Sequence, residues 1–170
     1  DFDGTLAKIV KTPSAAKMSK TTEELILQLS RLVPVAIVSG RSIDDLHARL
    51  NFQPQFSVGN HGLEGLHKNS RALVQAKAVS SKWMSALKKI KFLSGIEIEN
   101  KSFSISVHYR RARQRAKART QIAKAIESLD PSPRVILGKC VFNLVTERSP
   151  HKGAAILDLL EQTGMRNIFY

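Results

Sequence analysis

The chain has 170 residues, enough for one domain or two small ones. Hydrophobic residues make up 42% and charged residues 24%, as in an ordinary globular protein, and no run of about 18 apolar residues predicts a membrane helix. The single cysteine, Cys140, excludes an internal disulfide and is compatible with a reducing cytoplasm, the location that we predict. The net charge of +13 favours anionic partners such as nucleic acid, phosphorylated metabolites or membrane surfaces.

The first part of the chain alternates helix and strand patterns. Thr21 is predicted to cap a first helix, because a glutamate follows three residues later. The apolar side chains of this helix share one face: Leu25, Ile26, Leu29 and Leu32. Residues 33–38 have the pattern of a parallel strand buried on both faces. A helix that starts at Ser42, with Asp45 at the capping-box position, and a short strand over 56–58 follow. This alternation predicts a doubly wound α/β sheet.

The pattern changes after about residue 66. The predicted elements there are an amphipathic helix over 79–93, an antiparallel hairpin of 96–99 with 104–109, a basic helix over 111–129, and strands at 134–137 and 140–145. A helix over 151–163, ended by Gly164, resumes the first pattern, and 166–170 resembles the start of another strand. We therefore predict a Rossmann-like α/β core over 1–65 and 149–170, with an α+β cap domain inserted over 66–148.

The segment Asp1-Phe2-Asp3-Gly4-Thr5 carries the first chemical signal. Two carboxylates two residues apart suit aspartyl phosphoryl transfer, in which the first attacks phosphorus and the second protonates the leaving oxygen and then activates water. Gly4 permits a tight turn around a phosphate, and the Thr5 hydroxyl can bond a phosphate oxygen. A solvated turn of the same composition is the alternative that this segment alone leaves open.

Ser39-Gly40-Arg41 follows the apolar run 33–38. The carboxyl ends of strands are where doubly wound folds bind ligands, so the Ser39 hydroxyl and the Gly40 amide could hold a phosphate. Arg41 adds a cation near the N-terminus of the next helix, and we predict that it contacts substrate. The alternative is that Ser39-Gly40 is only a turn.

Lys152-Gly153 lies at a predicted helix start after Pro150. A lysine here could neutralise both a nucleophilic carboxylate and a phosphate. Taken alone, an exposed surface lysine is the simpler interpretation in so basic a chain. The order of the three segments is what favours a catalytic role.

Together these motifs resemble the haloacid dehalogenase (HAD) superfamily of phosphotransferases. Within it, the chain is most similar to the trehalose-6-phosphate phosphatases, through segments that span nearly its whole length: Ala36-Ile37-Val38-Ser39-Gly40-Arg41, Gly59-Asn60-His61-Gly62-Leu63-Glu64, Ser106-Val107-His108-Tyr109-Arg110 and Gly138-Lys139-Cys140-Val141-Phe142. The resemblance implies hydrolysis of a sugar phosphate, most specifically trehalose-6-phosphate, through an aspartyl-phosphate intermediate.

The resemblance also implies residue roles. Asp1 would be the nucleophile and a Mg²⁺ ligand, and Asp3 the general acid and base, with its backbone carbonyl on the metal. Ser39 and Lys152 would hold the phosphate. The residues expected to contact the substrate are Arg41, Asn60, His61, Glu64, Arg110 and Asn143.

The chain departs from the family pattern in two respects. The strand that should lead into Asp1 and the acidic metal-binding cluster expected after Tyr170 are not in the sequence, so we expect it to be truncated at both ends. Asn143 stands where the family tends to have a sugar-binding glutamate. An amide can bond a hydroxyl but lacks the charge of a carboxylate, which leaves the identity of the sugar open.

Three other interpretations remain. The chain could be a related phosphatase for another sugar phosphate, or a catalytically inactive family member that serves as a binding module. It could also be a nucleic-acid-binding protein that uses residues 110–119, which hold six cations in ten residues. The small residues in that run predict an amphipathic helix with a solvated basic face, with Ala112, Ala116, Ile122, Ala123 and Ile126 inward, and no aromatic residues are interleaved. We therefore expect no nucleic-acid partner.

Overall fold

The computed structural model describes residues 1–10, 12–65 and 70–169. In chain order its helices and strands are α1 (Lys20–Leu32), β1 (Ala36–Val38), α2 (Ile43–His47), β2 (Phe56–Val58), α3 (Ser70–Leu87), β3 (Glu97–Asn100), β4 (Ile105–His108), α4 (Arg115–Glu127), β5 (Arg134–Gly138), β6 (Val141–Val145) and α5 (Lys152–Thr163). The predicted α/β class is confirmed.

The chain divides into two compact units. The first holds the described residues of Asp1–Lys68 and Pro150–Tyr170, and the second holds those of Asn69–Ser149. These limits run close to the predicted boundaries at 65 and 148, although residue 66 itself lies outside the described residues. The assignment of the units as core and cap stays a prediction.

The first unit contains a parallel pair of strands. β1 and β2 pair in register, with Ile37 opposite Ser57. Ile37 and Val38 are buried, but Ala36 and the two residues at 33–34 are exposed, so the strand is shorter and less enclosed than predicted. A core of small and large apolar side chains, including Phe2 and Leu46, packs around β1.

Helix α1 begins two residues earlier than its predicted cap implies. Ser19, rather than Thr21, is the N-cap, and its Oγ accepts the backbone N–H of Thr22 at 3.1 Å. The helix has no buried residue, although Ile26 is partly buried and packs against the core. Its leucines are exposed by 60%, 45% and 81% at Leu25, Leu29 and Leu32.

Helix α2 confirms its predicted start. The Ser42 side chain accepts the backbone N–H of Asp45 at 3.3 Å, which satisfies one of the free donors at the helix N-terminus. Leu46 is fully buried and anchors the helix to the core. The helix ends at His47, and the chain then returns to β2.

The second unit is an antiparallel sheet with two helices. Its strand order is β3-β4-β6-β5, and the predicted hairpin pairs Ile98 with Val107. Helices α3 and α4 contribute Trp83 and Ile122 to a core that the strands complete with Val107 and Leu144. The Trp83 indole N–H donates to the Pro131 carbonyl at 2.7 Å, so the polar atom of this buried ring is satisfied.

Two helix predictions in this unit need correction. Helix α3 starts nine residues before the predicted position and ends at Leu87, because the chain already has a helical pattern upstream of Val79. Helix α4 starts at Arg115 rather than 111, which changes its inward face. The buried residues of α4 are Ala118, Ile122, Ala125 and Ile126. Ala116 is exposed, in contrast to the prediction.

Helix α5 closes the first unit. Gly164 ends it in the left-handed region, at φ 68°, as the sequence predicts. Residues 165–169 form no strand, so the predicted start of a strand is wrong over its described part, while Tyr170 lies outside the described residues. Among the helices that the structure describes, none is both long and apolar enough to cross a membrane.

Candidate active site

The two chain segments of the first unit are joined by an ion pair. Lys152 Nζ donates to Asp1 Oδ2 at 2.5 Å, and the Asp1 Oδ1 atom accepts the backbone N–H of Phe2 at 2.8 Å. The two side chains are about one quarter exposed, at 28% for Asp1 and 26% for Lys152. Each carboxylate oxygen can accept more than one hydrogen bond. Asp1 is therefore oriented by two donors and is still accessible for reaction.

The N-terminus of α5 places Lys152. His151 caps the helix, with its Nδ1 accepting the backbone N–H of Ala154 at 3.1 Å. Gly62 packs against this turn at φ +117°, and a Cβ at Gly62 would lie 2.9 Å from the His151 carbonyl oxygen. Only glycine combines this backbone conformation with so close an approach. The loop around Gly62 thus holds the first turn of α5 in place.

The turn that carries Asp3 is closed by its own backbone. The N–H of Gly4 donates to the Ala7 carbonyl at 2.7 Å, and the N–H of Ala7 donates to the Phe2 carbonyl at 2.9 Å. Gly4 adopts φ +88°, the left-handed conformation that favours glycine. Thr5 is exposed at the tip. The turn has the tight shape predicted for it, while phosphate binding by Gly4 and Thr5 stays a prediction.

Arg41 lies against Asp3. Its Nε donates to Asp3 Oδ2 and its Nη2 to Asp3 Oδ1, both at 2.7 Å. The same guanidinium donates through Nη1 to Asp45 Oδ2 at 2.6 Å. Burial works against the charge, but the hydrogen bonds to Asp3 and Asp45 outweigh it and raise the pKa of Arg41. Arg41 is only 6% exposed and has carboxylate partners inside the protein, and its predicted contact with substrate stays a prediction.

Ser39 and Gly40 lie at the carboxyl end of β1, as predicted. The fully buried Ser39 accepts the backbone N–H of Arg41 on its Oγ at 3.2 Å, which leaves its own hydroxyl hydrogen to be donated. The His61 ring covers Gly40 so closely that a Cβ there would lie 2.5 Å from the ring carbon Cε1. The backbone N–H of His61 also donates to the Ser39 carbonyl at 3.1 Å. His61 and the predicted phosphate-binding residues are therefore packed together.

Asn60 and Glu64 form the base of the same loop. Asn60 Nδ2 donates to Glu64 Oε2 at 2.6 Å, and that oxygen also accepts the backbone N–H of Ile43 at 3.0 Å. Burial is the largest influence on Glu64 and raises its pKa. Asn60 is 1% exposed, and its backbone N–H donates to the Arg41 carbonyl at 2.6 Å. These contacts tie the loop to the start of α2, and the predicted sugar contacts of both residues stay predictions.

Arg110 and Asn143 belong to the second unit. Arg110 Nη2 donates to the Lys139 carbonyl at 2.8 Å. Asn143 is 7% exposed, and its Oδ1 accepts the Ser106 hydroxyl at 2.6 Å while its Nδ2 donates to the Ile136 carbonyl at 3.1 Å. The structure thus gives Asn143 a role in cross-linking three strands, and the predicted sugar contacts of both residues stay predictions.

The residues present fit part of a magnesium site. Among the described residues no backbone hydrogen bond uses the Asp3 carbonyl, and the Asp1 carboxylate lies two residues before it. The described chain holds no cluster of three or more histidine, cysteine or acidic side chains able to bind a metal. Mg²⁺ commonly takes one or two protein oxygens and completes its shell with water and substrate phosphate. The Asp1 carboxylate and the Asp3 carbonyl match that minimal donor set.

Asp45 belongs to the charged cluster around Arg41, which the sequence motifs do not reveal. The sequence predicts Asp45 only as a capping-box residue of α2, but it bridges Arg41 and Arg49. The spacing of these three residues, four apart in each step, is the signal that could have revealed the bridge, because such residues are neighbours on one helical turn. Phe2 was also missed: its ring lies 5.2 Å from the Arg41 guanidinium carbon.

Replacing Asp45 by asparagine should change how stability depends on pH. Burial raises the pKa of Asp45, but the hydrogen bonds from Arg49 and Arg41 outweigh it and lower that pKa below the ordinary value of an aspartate. A lowered folded-state pKa stabilises the fold above the unfolded pKa, and this contribution is lost as pH falls through the folded value. We expect Asp45→Asn to cost on the order of 1 kcal/mol at neutral pH, discounted for partial exposure.

Urea unfolding of wild type and Asp45→Asn at several pH values checks this prediction. The difference in the free energy of unfolding should shrink as the pH drops below roughly 4. Asp44→Asn, an exposed carboxylate on the same helix, is the matched control and should show little difference at any pH. A constant difference between wild type and Asp45→Asn would contradict the ion-pair argument.

Curated proteins of known name are similar in sequence to this chain. Trehalose-phosphate phosphatase of Mycobacterium tuberculosis (strain H37Rv) is 31% identical over 170 residues, which cover 95% of this chain and 43% of that protein. Probable trehalose-phosphate phosphatase 4 of Oryza sativa subsp. japonica is 30% identical over 176 residues, covering 98% and 48%. The chain therefore spans less than half the length of these curated relatives.

Solved structures agree on the fold. A crystal structure of a trehalose-6-phosphate phosphatase related protein superposes with a TM-score of 0.76 at 20% identity, over 95% of this chain and 72% of that one. The C-terminal domain of Candida albicans trehalose-6-phosphate phosphatase gives 0.70 at 23% identity, over 91% and 58%. The family model described as trehalose-phosphatase matches residues 1–169. The sequence match over almost every residue and the shared fold lead to one conclusion: the chain belongs to the trehalose-phosphatase family.

Proposed function

We propose that the protein hydrolyses a sugar phosphate, most specifically trehalose-6-phosphate, to the free sugar and inorganic phosphate. The observation that carries the proposal is the Lys152–Asp1 ion pair, in which Nζ and Oδ2 are 2.5 Å apart although 151 residues separate them in the chain. A nucleophilic carboxylate must approach an anionic phosphate, and a neighbouring cation offsets that repulsion. The curated relatives named above are called trehalose-phosphate phosphatases.

The reaction that we propose has two displacements at phosphorus. An oxygen of Asp1 attacks the phosphorus, the bond from phosphorus to the sugar oxygen breaks, and Asp3 gives that oxygen a proton. Asp3 then takes a proton from water, whose oxygen attacks the same phosphorus and breaks the bond to Asp1. Inorganic phosphate leaves, and both carboxyl groups return to their starting states.

The other residues of the first unit act on the phosphate group in this proposal. Lys152 balances its charge from the Asp1 side. Ser39 donates its hydroxyl hydrogen to the phosphate, because its contact with the Arg41 backbone N–H uses the hydroxyl oxygen only as an acceptor. Mg²⁺, held by the Asp1 carboxylate and the Asp3 carbonyl, would supply further positive charge against the phosphate oxygens.

A second candidate is a phosphatase for another sugar phosphate. Asn143 favours it, because an amide stands where the family tends to have glutamate. Both ends of the amide are also engaged, by the Ser106 hydroxyl and the Ile136 carbonyl. An amide in this setting gives a sugar hydroxyl no charged acceptor. The identity of the sugar could therefore differ while the phosphoryl chemistry stays the same.

Phosphate release from a panel of sugar phosphates tests these proposals. The full-length protein with Mg²⁺ should hydrolyse trehalose-6-phosphate in preference to sucrose-6-phosphate and glucose-6-phosphate, and removal of the metal with EDTA should abolish the activity. Hydrolysis of the other esters alone would support the second candidate. Salt-sensitive binding to duplex DNA without any phosphatase activity would instead support the basic nucleic-acid-binding protein that the charge of residues 110–119 allows.

A further inference from the structure

Asp3 is held by a bidentate contact with a single side chain. Both of its carboxylate oxygens accept hydrogen bonds from one guanidinium, with Arg41 Nε on Oδ2 and Nη2 on Oδ1. Two parallel bonds between planar groups fix the plane and the direction of the carboxylate, which a single bond does not. The orientation of Asp3 is thus set by Arg41, although 38 residues separate them in the chain.

Arg41 is itself fixed from several sides. Its Nη1 donates to Asp45 Oδ2 at 2.6 Å, its Nη2 donates to the Pro13 carbonyl at 3.0 Å, and its guanidinium carbon lies 5.2 Å from the centre of the Phe2 ring. Asp45 is held in turn by Arg49, which donates to both of its oxygens at 3.0 and 2.7 Å. The guanidinium therefore has little freedom to turn toward a ligand.

We propose that Arg41 is a positioning residue, which aims the Asp3 carboxyl at the departing sugar oxygen and does not bind substrate. The inference rests on the proposed function, in which Asp3 supplies the proton to that oxygen. Asp45 balances the charge of Arg41, and Asp3 does so as well whenever it is ionised, so Arg41 adds little attraction for an anionic substrate. What it contributes is geometry, and a proton donor that is misplaced by about 1 Å can cost 10²-fold in rate.

A defect in proton donation affects two kinds of phosphate ester differently, whereas a loss of folded protein affects them equally. A sugar alkoxide is a poor leaving group and depends on an acid, whereas p-nitrophenolate leaves readily without one. The parameter kcat/KM reports the steps up to formation of the phosphoenzyme, where this proton is transferred. A misaimed Asp3 should therefore lower kcat/KM for trehalose-6-phosphate far more than for p-nitrophenyl phosphate. A general loss of folded protein lowers both equally.

The experiment compares Arg41→Lys and Arg41→Met in the full-length protein with Mg²⁺. We expect kcat/KM to fall about 10²-fold for trehalose-6-phosphate and less than about 10-fold for p-nitrophenyl phosphate. Arg41→Lys keeps the buried charge, so the measurement is still possible if Arg41→Met does not fold. Arg31→Met is the matched control, because Arg31 is an exposed arginine in the last turn of α1 and makes no described contact with Asp3, Arg41 or Asp45. It should lower kcat/KM for neither ester.

Asp3→Asn separates the failure of this inference from the failure of the proposed function. If Asp3→Asn itself lowers kcat/KM equally for both esters, Asp3 is not the acid and the proposed function is wrong at that step. If Asp3→Asn discriminates but the Arg41 variants lower both esters equally, the positioning role is overturned. An increase in kcat/KM in the Arg41 variants would also overturn it, since Arg41 would then restrain Asp3 rather than aim it.

Discussion

Replacing Asp1 by asparagine is expected to abolish release of phosphate from trehalose-6-phosphate, with a loss in kcat of at least about 10³-fold. The amide oxygen is a poor nucleophile, so the substitution removes the group that attacks phosphorus in the proposed reaction. The substitution is otherwise mild: an asparagine can still accept the backbone N–H of Phe2, which the Asp1 Oδ1 atom accepts at 2.8 Å. The loss should therefore report chemistry rather than folding.

Two measurements check this expectation. Phosphate release gives the rate, and incorporation of hydroxylamine-sensitive phosphate into the protein reports the aspartyl-phosphate, which should form in wild type and not in Asp1→Asn. Asp44→Asn is the control, because Asp44 is an exposed carboxylate in the same unit. If Asp1→Asn retained more than about a tenth of the wild-type rate, another group would have to be the nucleophile.

Replacing Lys152 by methionine should have the next largest effect, a loss of about 10²- to 10³-fold in kcat/KM. The ammonium lies 2.5 Å from Asp1 Oδ2, in surroundings that leave only about a quarter of either side chain exposed. A charge in such a partly dry site acts more strongly than one in water. Methionine preserves much of the stem and removes only the charge and its hydrogen bonds.

Lys152→Arg and Lys20→Met show whether the charge at residue 152 or the overall charge of the protein causes the loss of activity. Arginine keeps a cation at residue 152 and should restore part of the activity, although its planar group does not match the single donor of lysine. Lys20 is an exposed lysine at the start of α1, so its loss should leave the rate unchanged. An equal loss in Lys20→Met would show that overall charge, and not the Asp1 contact, controls the reaction.

Local patterns predicted the elements whose signals are short-range. The strand over 56–58 and the Ser42 cap were right because alternation, apolar runs and capping side chains act within a few residues. Helix α1 shows the limit of such patterns. Thr21 and Ser19 are both competent caps, and what separates them is a contact from Ser19 Oγ to the Thr22 N–H that spacing alone does not identify. The leucines of α1 form an apolar face, but a pattern cannot say what covers it.

The candidate site was predictable as a set of motifs and not as a set of contacts. Asp1, Ser39 and Lys152 were predicted from their residue types and order, and the structure brings Asp1 and Lys152 into contact. The contact of Arg41 with Asp3 was not predicted, since a cation beside a phosphate-binding segment indicates substrate contact unless one knows that Asp3 lies within 2.7 Å. That distance depends on how the chain folds between Asp3 and Arg41, which lie 38 positions apart. The spacing of residues 41, 45 and 49 is compatible with the bridge that Asp45 makes between the two arginines. The capping-box position of Asp45 offered a simpler explanation for the same residue.

The close approach of the His61 ring to Gly40 has a consequence for how this sequence can vary. One small volume serves both residues, since a Cβ at Gly40 would come within 2.5 Å of His61 Cε1 and 2.8 Å of its Nε2. A side chain at 40 can be accommodated only if 61 becomes smaller or shifts, so the effects of changes at the two positions will not add. Substitutions at positions 40 and 61 should therefore be correlated among related sequences. Each position should tolerate a larger side chain only when the other carries a matching change.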